Sequence, residues 1–542
     1  MKTWIHAALV LICAMPMCVA AADAATAEQP RKRPNIVFVF ADDWGRYAHC
    51  LTAFKEGPSI NDVLRTPTID AIAAQGVVFR NAFVTAPSCT PCRSSVLSGR
   101  YFFQTQKGTH LYGEWDPAIP SYPLLLRDSG YHIGKSYKVW GPGYPNDAPY
   151  GKQEYAYEKA GRAYNRFSQN ATRFVREGKT IEEAKAILYN EVRENFRAFL
   201  NARPKAAPLC YWFGPTHTHR TFEKGSGKAL WHIDPDSLKG KLPHFLPDVP
   251  EIREDFSDYM GEIQALDAGI AILEEELKAI GEWENTIIVL SGDHGVPGIP
   301  RGKCNLYDCG VAVSLIVKGP QIKPGRIVDD YVNLMEIAPT FLEIGGVAKP
   351  TGMTATSFLP TLLSDKAGQV DPKRTWVITG RERHFPTARE GNLPYPQRAL
   401  RTPDFLYVRN FAPERSPMGA QKFTNRSDVP SLAVLETNTG AAFPDVDASP
   451  TKAWLLHQFD NPQWQQHYAL AFGLRPAEEL YDLRTDPQQV RNVANNPDYR
   501  AKCKELWTFL EAELRRQNDP RIRDGGVTFE SPDYLAVREK KF

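Results

Sequence analysis

Two apolar runs in this sequence end in side chains that cannot stay buried without company. Residues 35–40 lead into Asp42-Asp43, and residues 286–290 lead into Asp293-His294. Carboxylates brought together this way repel one another and retain their protons unless a cation neutralises them. Asp42, Asp43, Asp293 and His294 are therefore candidate ligands for a divalent metal. The oxygen-rich set suits Ca²⁺ or Mg²⁺ better than Zn²⁺. A third segment carries the candidate reactive group: Cys89, with Pro91, Cys92 and Arg93 behind it. A short helix starting near Pro91 would put Cys89 at its N-terminus, where free N–H groups favour anions. Arg93, one turn along, adds a guanidinium. On spacing alone, Cys89 and Cys92 also fit a dithiol redox pair, and Cys304 and Cys309 fit a short-loop disulfide.

These residues need a frame. The continuous apolar runs at 35–40 and 286–290 read as strands buried on both faces of a parallel sheet. Residues 68–75, with Gly76 at the expected C′ position, predict a short helix, and residues 77–83 a further strand. Residues 255–280 have helical periodicity. Alternating helices and buried strands imply an α/β fold with a mostly parallel central sheet, in which ligand sites lie beyond the carboxyl ends of the strands. From about residue 372 the texture changes to short strands rich in Arg and Pro. Runs at 405–409 and 480–483 and a helix near 500–517 imply a smaller α+β domain with an antiparallel sheet. The expected organisation is a leader over 1–24, a catalytic domain over 34–371, and a C-terminal subdomain over 372–542 that contributes to the substrate pocket.

The chain has 542 residues, 42% of them hydrophobic and 24% charged, which excludes a disordered or coiled-coil chain. Its net charge of +2 gives no global field for a nucleic-acid partner. Lys2, an apolar run over 7–15 and small residues from Ala20 to Ala27 read as a secretory signal peptide cleaved near Ala22 or Ala24. No later stretch reaches membrane-spanning length, so the mature chain is expected to be secreted or periplasmic, with no integral membrane segment. Removing the leader's Cys13 and Cys18 leaves an odd seven of the nine cysteines, so one thiol is expected to have another job.

Cys89-x-Pro91-x-Arg93, followed by Leu97-Ser98-Gly99-Arg100, resembles the signature of type I sulfatases in the alkaline-phosphatase-like superfamily. The segment from Asn333 to Gly346 and the Glu479-to-Pro487 stretch resemble further parts of that family. The resemblance implies that Cys89 is oxidised to formylglycine by a maturation enzyme and completes a Ca²⁺ (or Mg²⁺) site with Asp42, Asp43, Asp293 and His294. It implies that Arg93 holds the formylglycine hydroxyls, that Lys138 and Lys303 bind sulfate, and that His219 protonates the leaving group, with His217 second. The hydrated aldehyde would supply one hydroxyl as nucleophile and a second to release sulfate by elimination. Three departures stand out: Trp140 where the family has His, Asp308 where it has Glu, and Cys309 where it has Gly.

The stretch holding Arg381, His384, Arg389 and Arg398 resembles the C-terminal region of heparan N-sulfatase-like bacterial enzymes. That makes Arg381, His384 and Arg398 candidate substrate contacts, alongside His217; a structural Arg network between domains is the other reading. Trp44, Trp140 and Trp212 could stack on sugar rings. The expected substrate is a sulfated carbohydrate, N- or O-sulfated, of glycosaminoglycan or other polysaccharide type. Two other readings remain: a phosphodiesterase or phosphonate hydrolase on the same scaffold, and a non-catalytic sulfated-glycan-binding protein.

Overall fold

The run Asn35–Ala41 forms β1, and all of it is buried. Its side chains alternate between two cores: Ile36, Phe38 and Phe40 enter one, and Val37, Val39 and Ala41 enter the other. That alternation identifies β1 as a central strand with helices or loops covering both faces. The computed structural model describes Met1, residues 32–54 and residues 57–536. Apart from Met1, the leader expected over 1–24 lies outside the described residues.

The remaining strands of the large sheet are β2 (Val77–Phe83), β3 (His132–Tyr137), β4 (Leu209–Gly214), β5 (Thr286–Gly292), β6 (Leu315–Lys318) and β7 (Arg326–Asn333). Their order is β3-β4-β1-β5-β6-β2-β7. All pairings are parallel except those of β6, which runs against both β5 and β2. A four-stranded antiparallel sheet follows: β8 (Val377–Arg381), β9 (Gln397–Arg401), β10 (Phe405–Asn410) and β11 (Glu478–Asp482), in the order β11-β10-β9-β8. Both sheets lie within one compact unit, Arg33–Phe542. This is the expected α/β architecture with a smaller antiparallel part.

Among the helices, α1 (Pro67–Ala74), α2 (Cys89–Ser98), α3 (Ile181–Ala202), α4 (Pro250–Ala279) and α5 (Arg500–Arg516) matter most here. Helix α4 starts five residues before the predicted 255, because Pro250 suits a first turn that needs no N–H. Its inner face then carries several polar side chains that fasten loops. Asp267 accepts from the N–H groups of Thr68 and Ile69 at the start of α1. No helix among the described residues is long and apolar enough to cross a membrane.

Candidate active site

Helix α2 begins at Cys89 rather than near Pro91, two residues earlier than predicted. Ser88 stands before it in extended conformation, and Gly99 ends it at φ 64°, in the left-handed region. A Cβ on Gly99 would lie 2.4 Å from Met353 Cγ, so both backbone and packing require glycine there. All ten residues of α2 are buried. Cys89 therefore sits on a fixed first turn beyond β2, directed at the carboxyl ends of β1 and β5.

The acidic turns meet it there. Cys89 Sγ lies 3.6 Å from Asp42 Oδ1, 4.0 Å from Asp43 Oδ1 and 3.5 Å from His294 Nε2. Asp43 adopts φ 57°. Its N–H donates to Asp293 Oδ1 at 2.8 Å, and Tyr259 of α4 donates to its carbonyl at 2.8 Å. Gly292 lets the two turns close on each other, since a Cβ would lie 2.0 Å from the Trp44 carbonyl oxygen.

Three cations surround the cluster. Arg93, fully buried, reaches Asp293 Oδ2 through Nε at 2.8 Å and Asp42 Oδ1 at 3.0 Å. Its remaining nitrogen donates to the carbonyls of Lys138 and Val139. Lys138 Nζ spans both oxygens of Asp42 at 2.7 and 2.8 Å. Lys303 Nζ lies 3.0 Å from Asp43 Oδ2 and 3.1 Å from Asp447 Oδ2. His219 Nε2 is 3.8 Å from Asp43 Oδ2, and its side chain is one-third exposed (33%). Its Nδ1 faces the Arg220 carbonyl at 2.6 Å, which places a hydrogen on Nδ1 and leaves Nε2 as the exchangeable position.

The electrostatics separate the two neighbouring aspartates. Burial alone would raise both; beside Asp42, Lys138 and Arg93 outweigh it and hold the carboxyl well below the usual range. Asp43 has less compensation. Burial, Asp42 and Asp293 outweigh Lys303 and His294, and its carboxyl is pushed up to about 7. Ligand atoms of Asp43, Cys89, Asp293 and His294 all lie within 4.8 Å of one another, as do those of Asp42, Asp43 and His219. Asp43 is left under-neutralised in an oxygen-rich set, so the residues fit a divalent cation.

Burial, then Asp42, push the Cys89 thiol well above its ordinary value, so it stays protonated. Burial and Asp293 do the same for Cys92. Neither is in a disulfide, and both are unlike the acidic thiols of redox dithiols. Cys304 and Cys309 are also free, so the short-loop disulfide is not present.

Several expected contacts lie elsewhere. Trp44, Trp140 and Trp212 are completely buried, so none can stack on a sugar. Their indole nitrogens donate to the Tyr47 carbonyl, Ser94 Oγ and the Lys138 carbonyl. Trp140 thus packs behind α2. Arg398 is fully buried between Asp519 and Glu382. Arg381 is buried against Asp445 and donates to the Cys304 carbonyl at 2.7 Å. Both arginines belong to an internal ion-pair network rather than an open surface. His217 is buried with its Nδ1 3.2 Å from Glu262, its ring edge-on to Tyr164. Its side chain has no exposed surface, and it does not line the cleft. His384 is buried one residue from the reactive position, its Nδ1 2.8 Å from Ser88 Oγ.

Asp447, Asp255 and Glu262 were not singled out from sequence. Asp447 is a lone acid in a loop, and nothing in its spacing links it to Lys303. Asp255 and Glu262 are seven apart on α4, on a face that periodicity marks only as buried; Asp255 holds Arg220 at 2.6 and 2.9 Å. The departure at Asp308 also has a structural reason: it pairs with Arg401 of β9 at 3.0 Å, joining the site loop to the small sheet. A cleft of about 510 Å³ opens over Asp42, Lys138 and His219.

The sequence model of one protein family, described as Sulfatase, matches residues 34–347. The chain is 26% identical to N-sulphoglucosamine sulphohydrolase of Homo sapiens over 90% of its length and 92% of that protein. It is 25% identical to an ulvan-active sulfatase of Formosa agariphila, over 90% of this chain and 81% of the other. The fold superposes on BT4656, solved in complex with its substrate D-glucosamine-2-N,6-O-disulfate. The TM-score is 0.59 at 16% identity, covering 91% of this chain and all of that one.

Proposed function

The chain belongs to the sulfatase family and is a sulfuric ester hydrolase, and we propose that it removes sulfate from sulfated amino sugars of glycosaminoglycan type. The observation that carries this reading is Cys89 at the first position of α2, within 4.0 Å of Asp42, Asp43 and His294. The relatives named for sulphoglucosamine and bound to a glucosamine disulfate support the amino sugar.

In this proposal the Cys89 thiol stands where a formylglycine would stand after maturation. Asp42, Asp43, Asp293 and His294 would hold a divalent cation, Ca²⁺ on donor chemistry, with Mg²⁺ the other candidate. Bound there, the cation would polarise a sulfate oxygen, and the hydrated aldehyde would supply the attacking hydroxyl. The chain's own residues do the rest. Arg93, fixed between Asp42 and Asp293, orients the group at position 89 and opposes the charge that builds on it. Lys138 and Lys303 place two ammonium groups where sulfate oxygens arrive, in a site dry enough for each to count. His219, its Nδ1 hydrogen held by the Arg220 carbonyl, turns Nε2 to the cleft mouth, in position to relay a proton taken up there to the departing oxygen or nitrogen. His384 and Ser88 fix the chain entering α2. The leader expected from residues 1–24 supports an exported protein.

The test is sulfate release from N-sulfated and 6-O-sulfated glucosamine by protein matured in a competent host. The matured enzyme should release sulfate from at least one, lose activity on chelation, and regain it with Ca²⁺ or Mg²⁺. C89A should be inactive. Turnover of phosphate esters with no sulfate release would overturn the reading.

A further inference from the structure

The cleft above Lys138 and His219 has one wall that the reaction does not use. Asn165, Arg166, Gln169, Thr216 and Thr221 line it, all polar. Arg166 is exposed. Among the described residues no hydrogen bond, ion pair or ring contact engages its guanidinium, whereas Asp42, the carboxylate that lines the cleft, is already committed to Arg93 and Lys138.

The backbone that carries Arg166 is held on both sides. Tyr164 and Phe167 are completely buried. The N–H of Tyr164 donates to Glu191 Oε1 at 3.0 Å, and its hydroxyl donates to the Ala265 carbonyl at 2.7 Å. Asn165 accepts from the Thr216 N–H at 2.9 Å, tying the segment to the loop that bears His219. A guanidinium on a fixed backbone, without a counter-ion and beside the reaction centre, gives up only its own side-chain rotamers when an anion arrives. Its planar fork matches both carboxylate and sulfate oxygens.

We propose that Arg166 binds a second anionic group of the substrate, a carboxylate or a further sulfate borne outside the group being cleaved, and so sets a preference for multiply charged saccharides. This rests on the sulfated-sugar reading above. The cleaved sulfate meets Lys138 and Lys303 in the interior; the second anion stays in the open cleft, where its bond to Arg166 is screened by salt.

The experiment compares kcat/KM for three substrates: a monosulfated glucosamine, glucosamine 2-N,6-O-disulfate, and a monosulfated glucosamine–uronate disaccharide. Wild type should prefer at least one doubly anionic substrate by about tenfold, the effect of one charge-assisted hydrogen bond. Which one it prefers identifies the second group as sulfate or carboxylate. R166A should bring the preference ratio near one, mainly through KM, R166K should keep part of it, and added salt should erode the wild-type ratio. A preference that survives in R166A, or no preference in wild type, overturns the assignment of Arg166 while sulfate release continues. No sulfate release from any of the three by matured wild type overturns the sugar reading itself, and the inference with it. Arg166 is exposed, so its replacement should leave the thermal midpoint within a degree or two of wild type.

Discussion

Arg93 shows how one side chain serves both the fold and the chemistry. It has no solvent contact, and its charge is balanced by Asp42 and Asp293. Removing one partner of a buried ion pair strands the other and costs about 3–5 kcal/mol. Arg93→Met should therefore lower the melting temperature. It should also reduce turnover by about 10²–10³, the scale set by loss of one charge-stabilising donor. Arg93→Lys should recover much of the stability and little of the turnover, because one ammonium cannot span two carboxylates and two carbonyls. Thermal melts and steady-state rates check both; a melting loss with unchanged kcat would contradict its place beside the reacting group. The metal candidates and Arg93 were legible in the sequence because each follows a strand or a short signature. Asp447 was not, since it reaches Lys303 only through the folding of a loop 144 residues further along the chain.

The elements divide by how local their causes are. β1 and β5 carry continuous apolar runs, and β2 is apolar but for Arg80 and Asn81; all three form where the pattern puts them. β6 was not legible as an exception to the parallel sheet, because its direction is set by pairing with β5 and β2 rather than by its own residues. The Arg-rich stretch before and within β9 was ambiguous for a related reason. Sequence shows the guanidinium groups and hides their partners, which arrive from Asp445 and Asp519 far downstream. Asp445 joins the ends of this network. Burial alone would raise its carboxyl, but Arg389 and Arg381 outweigh that and hold it at about 2, against 3.8 unperturbed. Its folded pKa is depressed, so its contribution is present above pH 3.8 and is lost as pH falls through about 2. That contribution is about 2 kcal/mol. D445N should destabilise the protein at neutral pH and flatten the acid limb of the stability curve between those values. Denaturant titrations across pH 2–7 read it directly; parallel wild-type and variant curves would contradict the pairing.

At the level of the molecule, the site is assembled from the ends of β1, β3, β4 and β5, the start of α2, and loops that include Asp447 and His384 from the C-terminal part. The expected substrate role of that part through Arg381 and Arg398 gives way to a supporting one. These arginines tie β8 and β9 to later segments, and His384 and Asp447 reach the centre. Cys89 is only 2% exposed in the folded chain. The maturation proposed above would need access to this side chain that the folded unit does not offer, so folded protein should resist conversion when a maturation enzyme is added late.

The most direct test is peptide mass spectrometry of residues 81–93 from protein made in a host that matures sulfatases. The account predicts that Cys89 has exchanged its CH₂SH for an aldehyde while Cys92 remains a thiol. An intact Cys89 thiol, or a bond between Cys89 and Cys92, in a host that converts a control sulfatase would contradict it.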